Sequence, residues 1–359
     1  MEQDAMDRHF MARCLELARV GMAHVKPNPM VGAVVVHNNC IVGEDYHRVF
    51  GAEHAERNAI NSVADKNILK DSTLYVSLEP CSHHGKTPPC TDLILESKIP
   101  KVVVAVADPN PLVQGRGIEI LRQQGVDVKV GVMELEATEL NRRFFTFHTR
   151  NRPYVILKWA QTLDGFIDMA RSPEDPIAPN WITNELSRTL VHRWRSEEQA
   201  ILIGTNTVLK DNPRLDVRSW SGPAPMRIVL DRLLRIPLES HVYNGKVPTL
   251  VFIGNNATSL ARRPLLAETP NTEMIIMDFA RGAEVQILKE LHKRGVTSLL
   301  IEGGTMIINS FFARGYWDEA RMFVGNKFFG GGVKAPFFKG DPVSYDEVGD
   351  SKLFTFKNS

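Results

Sequence analysis

Three residues in the first half of the chain carry side chains that hold transition metals, and a fourth beside them brings a carboxylate. His54, Ala55 and Glu56 are consecutive, Cys81 follows Pro80, and Cys90 comes nine residues after Cys81. One imidazole and two thiolates suit zinc, and three protein ligands leave a fourth position for water, the arrangement of catalytic rather than structural zinc. Zinc acidifies a bound water toward neutrality, and a nearby carboxylate can then carry protons. Glu56 is the candidate carrier. A closed, structural site needs a fourth side chain, and His47, His83 and His84 are available for it, so that reading stays open. Taken singly, His54, Glu56 and the two cysteines read as ordinary core or surface residues; only their order and company point to chemistry.

Residues two apart on a regular helix point about 200° apart. His54 and Glu56 can therefore share a site only at a helix start, with His54 off the helical track and Glu56 in the first turn, where the helix dipole favours negative charge. Cys81 and Cys90 each follow a proline, Pro80 and Pro89, which suggests two further helix starts whose amides lower thiol pKa values. The surrounding pattern supplies such elements. Residues 7–20 put Phe10, Met11, Cys14, Leu15 and Ala18 at helical spacing, with Asp7 as cap and Gly21 as stop. A hairpin over 31–43 turns at His37, Asn38 and Asn39. Helices at 54–64, 89–97 and 116–124 then alternate with strands at 73–78, 101–107 and 126–131, a mixed sheet with helices packed over it. A helix at 134–147 runs into the polar stretch Thr149 to Pro153, where we place the boundary between a domain of 1–148 and one of 149–359.

The second half restarts as α/β, with strands expected at 154–159, 199–204, 226–231, 249–254, 274–278, 298–302 and 319–324 and helices at 184–196, 284–294 and 305–314. Arg171 to Pro179 reads as a surface loop. Ser298 to Glu302, then Gly303, Gly304 and Thr305 before an apolar run, reads as strand, glycine turn and helix, so that amides at 304–306 can meet a phosphate. The turn is not the GxGxxG of a doubly wound dinucleotide domain.

Composition narrows the class. A chain of 359 residues fits two domains, and 43% hydrophobic with 24% charged residues is ordinary for folded protein. Lys plus Arg, 43, nearly balances Asp plus Glu, 42, so no global field draws the chain to nucleic acid or anionic membrane. Four cysteines and a start lacking a signal-peptide pattern point to the reducing cytoplasm. No apolar stretch reaches the length of a membrane span. Cys14 and Cys40 are assigned to core packing.

The order H-A-E then P-C matches the zinc deaminase signature, with eight residues between the cysteines in place of the usual two. The strings PNPMVGAVVV (27–36), HAE (54–56), LEPCSHHGKTPPC (78–90) and DPNP (108–111) closely resemble the bacterial bifunctional riboflavin-biosynthesis deaminase–reductases, in which that long spacing occurs. KWAQTLDGFID (158–168), NWIT (180–183), GTNTVLKDNPRLDVR (204–218) and IEGGT (301–305) extend the resemblance over nearly the whole chain.

The resemblance implies a cytidine-deaminase-like three-layer α/β/α domain followed by a dihydrofolate-reductase-like α/β domain. The first would hydrolyse the 2-amino group of a diamino-pyrimidinone ribosylamine phosphate; the second would reduce the ribosyl chain to ribityl with NADPH. His54, Cys81 and Cys90 would bind one zinc ion, and Glu56 would donate and accept protons. Asn28 suits reading a pyrimidinone edge, or else Pro27, Asn28 and Pro29 form a rigid turn. His83 and Lys86 would hold the substrate phosphate, and His47 is a pocket candidate or a structural histidine. Ala160, Trp181, Thr207, Asp211 and the 304–310 segment, with Gly304, Thr305 and Met306, would contact NADPH. Arg195, Leu215, Arg218 and Glu302 would contact the ribose phosphate, unless His192, Arg193 and Arg195 are simply a solvated helix face. Lys158 and Asp164 are polar helpers near the sugar or a strand-end pair. Set against the resemblance, two departures stand out: the segment 169–180 reads as longer than the family's usual loop, and Arg232 follows Asp231 where many relatives have a small hydroxyl residue, a place where its guanidinium suits the 2'-phosphate of NADPH. A small-molecule substrate and a homo-oligomer are the partners this implies, with neither nucleic acid nor membrane.

Overall fold

The computed structural model describes residues 2–358 apart from 84–87, 112 and 173 and the side chain of Ala257. The chain divides into two compact units, Met1–Asn151 and Arg152–Ser359.

In the first unit, α1 (Glu2–Val20) precedes the hairpin β1 (Gly32–His37) and β2 (Cys40–Tyr46). There follow α2 (Ala55–Ser62), β3 (Thr73–Val76), α3 (Cys90–Glu96), β4 (Lys101–Val104), α4 (Arg116–Gln123), β5 (Asp127–Val130), α5 (Glu134–Leu140) and α6 (Arg142–Arg150). The sheet order is β2-β1-β3-β4-β5, antiparallel on both sides of β1 and parallel from β3 to β5. Alternation along β1 builds two cores. Val34 and Val36 pack with Phe10, Met11 and Leu140 on one face, while Ala33 and Val35 pack with Ala59, Ile60, Ile94 and Leu121 on the other. Three layers, helix on sheet on helix, result. Asn38 and Asn39 both take positive φ, 49° and 61°, the left-handed pair that a two-residue hairpin turn requires.

Three expectations need correcting here. Asp7 does not cap α1, which begins at Glu2; it is fully buried and accepts hydrogen bonds from Gln3 Nε2, Tyr75 Oη and Lys129 Nζ at 2.8–2.9 Å. The helix expected at 134–147 is two, because the Asn141 side chain breaks it by pairing with both the N–H and the C=O of Met30, each at 2.8 Å. Cys40 is exposed at the start of β2 beside the turn and packs in no core, whereas Cys14 is buried as expected.

The second unit contains β6 (Tyr154–Thr162), β7 (Phe166–Asp168), α7 (Glu185–Glu197), β8 (Ala200–Gly204), α8 (Thr205–Asp211), β9 (Met226–Leu230), β10 (Thr249–Gly254) and α9 (Ala257–Ala267). It continues with β11 (Thr272–Met277), α10 (Ala283–Lys293), β12 (Ser298–Glu302), α11 (Thr305–Arg314), β13 (Glu319–Gly325), β14 (Val333–Lys334), β15 (Ser344–Val348) and β16 (Ser351–Lys357). Nine strands run β11-β10-β9-β8-β12-β6-β13-β16-β15, parallel from β11 to β13. β16 and β15 close one edge as an antiparallel pair. Val155, Leu157 and Trp159 of β6 face the core under α10 and α11, while Tyr154 and Ile156 face the core that includes Val208 of α8 and Leu266 of α9. Buried on both faces, these strands read in the sequence as unbroken apolar runs. Among the described residues no helix is long and apolar enough to cross a membrane.

Candidate active sites

α2 starts where the His54–Glu56 pair demands it. His54 is the residue before the helix, extended at φ −75° and ψ 161°, and Glu56 sits in the first turn, 3% exposed. The two cysteines share one helix start rather than two. Cys90 opens α3, while Cys81 lies in the loop before it and accepts the Cys90 N–H on its sulfur at 3.3 Å. His54 Nδ1 lies 3.4 Å from Cys81 Sγ and 3.5 Å from Cys90 Sγ, and the three donor atoms all fall within 4.8 Å of one another. A tetrahedral zinc ion bonded at ~2.0 Å to nitrogen and ~2.3 Å to sulfur sets N and S about 3.6 Å apart and the two sulfurs about 3.8 Å apart. The donor set and its spacing fit zinc.

Among the described residues no fourth His, Cys, Asp or Glu joins this group. His47 is committed elsewhere: Nδ1 lies 3.0 Å from the Glu53 carbonyl and Nε2 lies 3.1 Å from Asn28 Nδ2. Burial lowers the His47 pKa, so the ring is neutral, with Nδ1–H donating to Glu53 and Nε2 accepting from Asn28. That bond turns the Asn28 amide so that its nitrogen is taken and its oxygen points away from His47. His83 is exposed, and Lys86 and His84 lie outside the described residues.

Electrostatics sort the acids. Burial pushes the Glu56 carboxyl up to about 7 against the pull of His54, and the Cys90 thiol lies within its hydrogen-bonding reach. The two thiols are linked through the hydrogen bond between them. Cys81 is held low by hydrogen bonds from Cys90 and His54, while Cys90 is raised by Cys81 and by burial.

Glu79, not singled out from the sequence, anchors the loop. Its carboxylate accepts from the N–H groups of Asp108, Gly115, Gly117 and Ile118 at 2.9–3.4 Å, so one side chain fixes the DPNP loop and the start of α4 beside Cys81. A Cβ on Gly117 would stand 2.1 Å from the Pro80 carbonyl, so only glycine permits this approach. An acid just before Pro-Cys is the only trace of this in the sequence.

In the second unit a cavity of about 880 Å³ opens at the carboxyl ends of β6, β8, β9 and β12, the usual place for a ligand in parallel α/β sheets. Of the residues expected to contact the two ligands, Ala160, Trp181, Thr207, Asp211, Arg232, Gly304, Thr305 and Met306 line it, and so do Lys158, Arg195, Leu215, Arg218 and Glu302. A Cβ at Gly303 or Gly304 would meet nothing within 4 Å, which leaves open space before the N-terminus of α11. Trp181 is half-exposed, with the Arg188 guanidinium 4.8 Å from its ring. Leu215 buries its side chain and takes φ 53°.

The charges pair among themselves. Arg195 grips Glu302, with Lys158 Nζ 3.6 Å from the same carboxylate. Burial raises the Glu302 pKa, but Arg195 and Lys158 prevail and hold it at about 2; burial lowers that of Lys158. The His192–Arg195 run is no solvated face: His192 is buried against the Asp216 carbonyl and Arg195 points to Glu302, and only Arg193 turns outward. Lys158 lines the cavity and Asp164 does not. Asp164 accepts from Phe329 N and Gly330 N and serves the turn after β13.

The described residues of 172–179 are exposed, as expected of a surface loop. Only its first residue departs: Arg171 turns inward, its side chain 10% exposed, and bonds to Asp168 and Asp211. α8 and α9, the β7–β14 pair and the β15–β16 hairpin were not foreseen either.

The two sites define a bifunctional enzyme, a deaminase unit of the zinc-binding type followed by a reductase unit. Residues 4–106 match the cytidine and deoxycytidylate deaminase zinc-binding region, and residues 153–357 match the RibD C-terminal domain. The chain belongs to the RibD family of riboflavin-biosynthesis proteins. It is 42% identical to the RibD of Aquifex aeolicus over 91% of this chain and 89% of that one, and 35% identical to that of Escherichia coli over 90% and 89%. Among solved structures, a diaminohydroxyphosphoribosylaminopyrimidine deaminase/5-amino-6-(5-phosphoribosylamino)uracil reductase from Thermotoga maritima is 37% identical, with a TM-score of 0.86 over 99% of this chain and 100% of that one. Acinetobacter baumannii RibD matches at 30% identity and a TM-score of 0.87 over 99% of each chain.

Proposed function

We propose that the first unit removes the 2-amino group of a diamino-pyrimidinone ribosylamine phosphate and that the second reduces the ribosyl chain of the product to ribityl with NADPH. The observation that carries the reading is the His54, Cys81 and Cys90 group with Glu56 buried beside it. The Thermotoga relative, named for both activities, supports the order of the steps.

His54 Nδ1 and the two cysteine sulfurs would hold one zinc ion, which when bound makes water nucleophilic at neutral pH. Glu56 takes the proton from the attacking water and returns it to the departing amine, a task suited to a carboxyl near neutrality. His47 fixes the Asn28 amide through its nitrogen, and the amide oxygen can accept an N–H from the pyrimidinone. His83 and Lys86 remain our assignments for the substrate phosphate.

In the second unit, NADPH would lie along Ala160, Trp181, Thr207, Asp211 and the glycine turn before α11, with Arg232 toward its 2'-phosphate. The ribosyl phosphate would sit by Leu215, Arg218 and the Lys158–Glu302–Arg195 group. Arg195 turns Nε and Nη2 to Glu302 and Nη1 to the Asp216 carbonyl, whereas half-exposed Arg218 meets Asp216 through Nη1 alone and keeps its other donors for a ligand, so we assign the direct phosphate contact to Arg218 and give Arg195 the task of holding Glu302.

A two-step assay tests the reading. Zinc-loaded protein given the diamino-pyrimidinone ribosylamine phosphate releases ammonia without NADPH, and then oxidises NADPH when it is added. Absence of ammonia in the first step rejects the deaminase assignment; ammonia with no NADPH oxidation rejects the reductase assignment.

A further inference from the structure

One side chain holds the segment between β7 and Trp181. A guanidinium has five N–H bonds, and all five bonds that Arg171 can donate are present. Nε and Nη2 donate to Asp168 Oδ1 at 3.0 and 2.9 Å, Nη2 also to Asp211 Oδ1 at 2.8 Å, and Nη1 to the carbonyls of Ala178 and Lys210 at 2.8 Å each. The acceptors come from the end of β7, the last turn of α8 and the far limb of the segment itself. Asn180 adds a bond from Nδ2 to Asp168 Oδ1 at 2.7 Å, and Lys210 Nζ lies 3.5 Å from Asp168 Oδ2. All of these side chains line the cavity.

Two consequences follow from the chemistry. Asp168 and Asp211 place two carboxylates on the wall of a cavity assigned to anionic ligands, and Arg171 is the cation that bonds to both. Its planar fork also ties three elements at once through five bonds from three separate nitrogens, where a lysine has only three donors on one atom. We propose that Arg171 is a positioning residue for the cofactor: it fixes the chain entering Trp181 and cancels the carboxylates at that rim, so that an anionic dinucleotide meets an ordered wall without repulsion. The proposal rests on the NADPH reading given above.

The test is steady-state kinetics on the zinc-loaded full chain, with the deaminated intermediate as substrate, for wild type, Arg171→Met, Arg171→Lys and Arg171→Ala. In Arg171→Met the KM for NADPH rises at least about fivefold while kcat stays within about twofold, the signature of lost binding rather than lost chemistry. Arg171→Lys falls between, and millimolar guanidinium ion restores part of the Arg171→Ala loss. Ammonia release is unchanged in all of them. An unchanged KM in Arg171→Met, or a fall in kcat with KM unaltered, overturns the proposal. If Arg171→Met does not fold, Arg171→Lys decides, and a wild-type KM there overturns it. A wild type that does not oxidise NADPH defeats the underlying reading instead.

Discussion

Arg195 and Glu302 meet through two parallel bonds, Nε to Oε1 at 2.8 Å and Nη2 to Oε2 at 3.0 Å, at the last residue of β12. Both side chains are 12% exposed, and Lys158 closes the group from β6. The pair is therefore an interior ion pair whose partners depend on each other.

Its loss should be costly. Glu302→Gln leaves Arg195 and Lys158 buried without a counter-charge, and breaking such a pair costs about 3 kcal/mol. In the wild type the Glu302 carboxyl is held at about 2 against an ordinary 4.5, so its contribution is complete above about pH 4.5 and drains away as the pH falls through 2. Thermal unfolding of the second unit should show Glu302→Gln melting lower from pH 5 to 8, with the gap to wild type narrowing below pH 4.

Replacing Glu56 separates proton transfer from metal holding. Glu56→Gln should retain one zinc per chain and lose ammonia release by about a hundredfold to ten-thousandfold, the usual worth of a general acid–base group. Chelation of zinc from the wild type should abolish the same step while NADPH oxidation with supplied intermediate continues. Metal analysis alongside the two assays checks both outcomes.

Glu79→Gln puts an amide nitrogen where the carboxylate accepts four N–H bonds, so at least one backbone donor in the DPNP loop or at the start of α4 loses its acceptor. The expected destabilisation is about 2 kcal/mol, and zinc affinity should weaken roughly tenfold because the loop that presents Cys81 loosens. A melting curve and a chelator competition measure the two effects. Unchanged metal affinity would mean that Cys81 is held without Glu79.

Arg232 is exposed at the cavity rim. Arg232→Ala should lower the preference for NADPH over NADH by at least about tenfold, as expected for loss of a charge-assisted phosphate contact, with little effect on the rate with NADH. Equal use of both cofactors by the wild type would remove the basis of this assignment.

The metal group was legible because its ligands are short, sequence-local signals: His54 had to leave the helix for Glu56 to enter it, and it does. The first unit followed from periodicity for the same reason, since Val34 and Val36 alternate with Ala33 and Val35 against separate cores. What escaped depends on partners far along the chain. Asp7 looks like a cap until Tyr75 and Lys129 close on it, and Asn141 looks helical until Met30 takes its amide. Arg171 looks solvated because Asp211, which draws it inward, lies forty residues away. Short edge elements such as β7 and β15 lack a buried face of their own and leave little periodic trace.

The cavity of the second unit opens where four neighbouring parallel strands stop, so its base is the end of a sheet that two cores already support, and most of its wall belongs to connecting segments. Stability and selectivity are thereby assigned to different stretches of chain. A connection such as the one before Trp181 can change in length or sequence, and with it which molecule is admitted, while the packing beneath it stays as it was.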